Sequence, residues 1–172
     1  MNLLRSLYFL QTTARADFYF KVIVTSVTNG LVVWGSCSKS FFDELEKLHV
    51  CAAKIIYGLD WYTPSDQVLA QSRCSTVKGL YKYRLLMLAH DSFYNFLPVP
   101  IMKLFTKYEC DYNLTFLLPS KTKHWSFRKF TCNEAVSLWN SLDNHTCAIS
   151  SNSLFKNAEL HVNSIILFQI GF

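Results

Sequence analysis

The stretch where side-chain types most nearly suggest chemistry is Lys121 to Phe130. Lys121, Lys123, Arg128 and Lys129 are interleaved there with His124, Trp125, Phe127 and Phe130, and no acid occurs between Tyr112 and Asn133. Lysine and arginine neutralise phosphates, and a ring such as Trp125 or Phe127 can stack on an unpaired base. The competing reading is a solvated strand or loop whose aromatics face the core. Other groups of reactive residues fall short of a site. His49, His90, His124, His145 and His161 show no repeated ligand spacing. The six cysteines include no Cys-x-x-Cys, so they read as reduced, small buried hydrophobes. His145 and Cys147, with Cys132 upstream, lack the paired spacing of a zinc site. Asp43, Glu44 and Glu46 fall at the start of a helix, where acids complement the dipole. Glu109 and Asp111 flank Cys110 in a stretch that reads as loop. No Asp-Asp pair, Gly-x-Ser-x-Gly, Gly-x-Gly-x-x-Gly, P-loop or His-Glu-x-x-His is present. The sequence therefore predicts no catalytic residue, no metal ligand and no cofactor.

Composition sets the frame for these residues. At 172 residues the chain makes one ordinary domain or two small ones. Hydrophobic residues are 51% and charged residues only 17%, which excludes a disordered chain. Aromatics reach 16%, so much ring surface must be covered by a core or a neighbour. The net charge of +5 permits contact with nucleic acid without specifying it. Leu7 to Leu10 is too short for a signal-peptide core. Val22 to Ser38 is uncharged, but its Thr, Ser, Asn and Gly residues read as buried protein rather than a bilayer span. The expectation is an intracellular protein, neither secreted nor in a membrane.

Periodicity predicts mainly helix. Phe41, Leu45, Leu48, Ala52, Ile55 and Ile56 form a stripe over Phe41–Tyr57, with Ser40 as cap, Lys47 and Lys54 on the other face, and Gly58 just past the end. Thr63 and Pro64 start a short helix to about Gln71. A longer helix spans Thr76–Tyr94, with Val77, Leu80, Tyr81, Leu85, Leu88 and Ala89 on its apolar face. Pro100 can start a helix through Lys107, Leu114 to Leu118 reads as a strand, and short helices are expected at Glu134–Asn140 and Leu154–Leu160. Asp17 to Trp34 is rich in β-branched residues, yet its length and spacing favour a buried helix.

The order of several short motifs resembles the region after the polymerase palm in LINE-type (non-LTR) retrotransposon reverse transcriptases. They are Arg15-Ala-Asp-Phe-Tyr-Phe-Lys21, Ser26-Val-Thr-Asn-Gly-Leu-Val-Val-Trp-Gly35, Leu45-Glu-Lys-Leu-His49 and Ala52-Ala-Lys-Ile-Ile-Tyr-Gly58. Leu85-Leu-Met-Leu-Ala-His90, Leu117-Leu-Pro119, Ala135-Val-Ser-Leu-Trp-Asn-Ser-Leu142 and Ser153-Leu-Phe-Lys156 follow in the family's order. Thr25, Asn29 and Cys74 depart from the family's usual Pro, Tyr and Trp.

The resemblance implies thumb-like helices over residues 1–60 and a mostly helical post-thumb region over 61–172, with the tail after residue 161 unassigned. The fold expected is a thumb-like helical bundle with a small β element around residues 114–132. The family's polymerase needs a palm with an aromatic-x-Asp-Asp motif, and its nicking needs an endonuclease domain; these residues carry neither. The implied role is a non-catalytic C-terminal fragment that contacts RNA or DNA through Lys121, Lys123, Trp125, Arg128 and Lys129. The missing palm domain of a parent protein would be its other partner. The alternative is a helical protein–protein interaction domain with no nucleic-acid role.

Overall fold

The structure is a computed structural model that describes residues 6, 9–34, 39–72, 74–110, 114–119 and 127–162. For residues 34, 39, 108–110, 114–119, 127–130 and 158–162 it describes the backbone alone. The fold is mainly α. Its elements are α1 (Thr12–Phe18), a π-helical turn (Tyr19–Val24), α2 (Thr25–Trp34), α3 (Lys39–Tyr57), α4 (Ser65–Ser72), α5 (Val77–Phe93) and α6 (Val99–Met102). After them come β1 (Phe105–Cys110), β2 (Leu114–Pro119), α7 (Phe127–Asn140), α8 (Asn144–Cys147) and α9 (Asn152–Val162).

Asp17 to Trp34 is helical, as its length predicts. Burial of Tyr19, Phe20, Val24 and Leu31 overrides the strand propensity of its β-branched residues. The π turn covers Tyr19–Val24, and the Thr25 hydroxyl donates to the Phe20 carbonyl at 3.0 Å. Thr12–Val33, 22 residues, is long and apolar enough to cross a bilayer by length and composition; its most apolar 18-residue stretch has mean hydropathy 1.2 and is 33% buried within the chain.

Contacts divide the chain into two compact units. The first comprises the described residues of Met1–Leu31 and Cys37–Leu80, and the second those of Val32–Ser36 and Tyr81–Val162. Residues 61–80 thus pack with the first unit.

In the first unit α3 starts at Lys39, so Ser40 lies inside the helix rather than capping it. Its buried face is turned about one residue from the predicted stripe. Phe42, His49, Val50, Ala52, Ala53 and Ile56 are buried, while Phe41 and Leu48 are 40% and 53% exposed. Lys54, expected on the outer face, is buried. The helix stops at Gly58, whose φ of +65° suits a residue without Cβ, and Leu59 N–H reaches back to the Lys54 carbonyl at 3.0 Å. At α4, Val68 N–H bonds the Pro64 carbonyl, which places Pro64 at the cap and Ser65 at the first helical position. Thr76 caps α5, its hydroxyl accepting the Gly79 N–H at 3.0 Å.

In the second unit the apolar face of α5 buries Tyr81, Leu85 and Ala89 as predicted, together with Leu86 and Met87. Ala135, Val136 and Trp139 of α7 and Phe155 of α9 are buried in the same unit, and the rings of Trp139 and Phe155 pack against His90 of α5. The connection from α5 to α7 differs from expectation. The helix beginning near Pro100 ends at Met102, and Phe105–Cys110 is a strand, so Glu109 lies in β1 rather than in a loop. β1 pairs antiparallel with β2, Phe105 opposite Pro119 and Cys110 opposite Leu114. An isolated eight-residue helix is marginal, whereas the hairpin supplies ladder partners to both segments. The β element therefore comprises Phe105–Cys110 and Leu114–Pro119. The expected extension to 132 is overturned, because the chain is already helical from Phe127, seven residues before the predicted start at Glu134. The hairpin packs against α7.

Candidate nucleic-acid interface

Lys121, Lys123 and Trp125 lie outside the described residues. Arg128 and Lys129 fall in the first turn of α7, with backbone placement alone described. No acid stands in that turn. A helix start carries a partial positive charge from unpaired N–H groups, so two cations there add to the local positive potential instead of complementing it.

Sequence reasoning missed a buried polar pair in the first unit. The π turn and α3 bring Tyr19 and His49 together, with Tyr19 Oη 2.6 Å from His49 Nδ1. Burial pushes the Tyr19 phenol well above its ordinary range. Burial also lowers His49, an effect that the Ser75 backbone partly opposes. The two share one hydrogen bond, while Nε2 of His49 makes none of standard geometry. Nearby, Glu46 accepts the Val77 N–H at 2.7 Å, and burial raises its carboxyl above the ordinary value. Beside the pair lies an apolar cavity of about 320 Å³, lined in part by Ile23, Val24, Val27 and Leu45. The bond joins the π turn to α3 within the first unit. Tyr19 and His49 stand 30 residues apart, so no local spacing could reveal the pair.

The second unit has its own buried histidine. His90 is fully buried, its Nε2 lies 3.0 Å from the Ile149 carbonyl oxygen and Nδ1 lies 3.3 Å from Asp91 Oδ1. Its ring stacks on Phe155 at 4.3 Å, and Trp139 packs edge-on at 6.1 Å. Tyr81 donates to Glu134 at 2.9 Å and Tyr94 to the Cys147 carbonyl at 2.7 Å. These bonds tie α5 to α7 and to the segment around α8. Cys74 and Cys132 are buried, as composition predicts. Among the described residues no three His, Cys, Asp or Glu side chains gather as metal ligands.

Compared with known proteins, the chain matches no protein-family model, no curated protein and no solved structure.

Proposed function

We propose that this chain is the C-terminal portion of a LINE-type retrotransposon reverse transcriptase, non-catalytic in itself, that contacts RNA or DNA through phosphates. The observation that carries the reading is the order of motifs from Arg15 to Lys156, spread over nearly the whole chain. The acid-free basic and aromatic run around Lys121, Lys123, Trp125, Arg128 and Lys129 supports it, as does the positive start of α7. In this reading the helices correspond to a thumb and post-thumb region. The chain works inside the cell, has no membrane role, and a palm domain of the parent protein is its other partner.

The test is a titration with single- and double-stranded oligonucleotides at several salt concentrations, with the fourfold Lys121/Lys123/Arg128/Lys129→Ala variant beside the parent. Neutralising about four phosphates gives a log–log salt slope of roughly −3 to −4, and the variant flattens it. Equal affinity and slope for the two proteins removes this stretch as the contact surface. Primer extension with magnesium or manganese yields no product above background, since no Asp-Asp pair exists to hold two metals.

The alternative, a helical protein-interaction domain, is favoured by one observation in the second unit. Phe96, Val99 and Ile101 are 57%, 57% and 38% exposed along one short segment. Loss of a protein partner on Phe96→Ser, with nucleic-acid binding absent in the parent, establishes that reading instead.

A further inference from the structure

Lys54 is the one buried lysine among the described residues, 9% exposed in the last turn of α3. Among the described residues no carboxylate pairs with it, and its hydrogen bond there is to the Trp61 carbonyl, at 2.6 Å. An ammonium has three N–H donors, so two remain. An ammonium with donors left over, in the wall of a hollow, suits an anion.

The surroundings add a second chemistry. Lys54 lines a hollow of about 360 Å³ together with Ile55, Gly58, Leu59 and Trp61. Gly58 has open space where a Cβ would stand. Trp61 is 53% exposed and Tyr62, next in the chain, 92% exposed. The loop that carries them is held by its own bonds. Thr63 N–H donates to the Asp60 carbonyl at 3.1 Å, and Tyr62 N–H to Asp60 Oδ1 at 3.2 Å. Large rings displayed on a loop already ordered lose little entropy on binding.

We propose that this hollow takes one nucleotide unit, its phosphate against the Lys54 ammonium and its base against the rings of Trp61 and Tyr62. The inference rests on the nucleic-acid reading above but uses a different surface from the basic run. An acidic peptide satisfies the ammonium but not the rings, and a neutral aromatic satisfies the rings but not the ammonium. A nucleotide satisfies both.

Calorimetric titration of the whole chain with an adenine octanucleotide, AMP, adenosine and hexaglutamate tests this. Lys54→Met, Tyr62→Ala and the fourfold basic-run variant stand beside the parent. The octanucleotide and AMP bind; adenosine and hexaglutamate do not. AMP as tight as the octamer identifies a free nucleotide as the ligand, and a tighter octamer identifies a strand. Tyr62→Ala weakens the octamer about tenfold and Lys54→Met several-fold. Tyr62 is so exposed that its truncation leaves the fold intact, which circular dichroism checks, so a folding failure of Lys54→Met does not spare the proposal. Parent-like binding by folded Tyr62→Ala overturns it, as does Lys54-dependent binding of hexaglutamate. If the fourfold variant alone loses binding, this inference falls and the basic-run reading stands. If Lys54→Met and Tyr62→Ala alone lose it, the reverse holds. If the parent binds neither octamer nor AMP, both fall.

Discussion

The phenol of Tyr19 lies 2.6 Å from Nδ1 of His49, and both residues are buried, 5% exposed each. This bond joins the π turn to the middle of α3 inside the first unit. Its worth lies in asymmetry: either partner alone is a buried polar atom without its match.

Tyr19→Phe keeps the ring and strips the donor. The expected cost is about 1–3 kcal/mol, read from urea denaturation. The double variant Tyr19→Phe/His49→Leu loses less than the sum of the single changes, because it leaves no orphaned Nδ1. Additive losses would show that the bond contributes nothing.

His49 also sets a pH dependence. Its folded-state pKa is depressed below the ordinary 6.5 by burial. The folded state therefore resists a proton that the unfolded state accepts, so His49 costs nothing above pH 6.5 and lowers stability as pH falls through the window beneath it. Glu46 acts in the opposite sense. Its raised pKa makes the folded state bind the proton more readily, which favours folding as pH falls toward the ordinary 4.5. Stability measured from pH 8 to 5 falls for the parent. The fall is shallower for His49→Gln. An identical slope in the two proteins would assign the pH dependence elsewhere.

Gly58 and Asn95 make a matched test of helix ends. Both have positive φ, +65° and +62°, and each is followed by a residue whose N–H reaches back five positions: Leu59 to Lys54, Phe96 to Asp91. Gly58→Ala costs about 1 kcal/mol through backbone strain alone, since nothing crowds an added Cβ. Asn95→Gly stabilises by a few tenths of a kcal/mol, on the order of the residual left-handed penalty of Asn. Thermal melts of the two variants should move in opposite directions.

In the second unit, His90→Phe preserves the stack on Phe155 and leaves the Ile149 carbonyl without its donor. The expected loss is about 1–3 kcal/mol. His90→Ala removes the ring as well and costs about 3–5 kcal/mol, as for other buried rings. Near-identical chemical denaturation midpoints for the two variants would mean that packing at His90 counts for nothing.

The sequence by itself determined the helices and several of their ends. Periodicity marked α3 and α5, Thr63-Pro64 marked α4, and Gly58 and Thr76 end α3 and start α5 through bonds within a few residues. Local chemistry suffices there because the partners are near in the chain. Tertiary structure decided the rest. The buried face of α3 turned from Phe41 and Leu48 to Phe42 and Val50, because what packs on the helix, not its own period, chooses among adjacent stripes. Phe105–Cys110 became a strand because Leu114–Pro119 offered it a ladder that a short helix could not match. Lys54 went inside because the carbonyl of Trp61, seven residues on, comes to meet it, and the Tyr19–His49 bond needed two segments 30 residues apart to fold together. Polar burial depends on partners that only the folded chain assembles, and no spacing in the sequence encodes them.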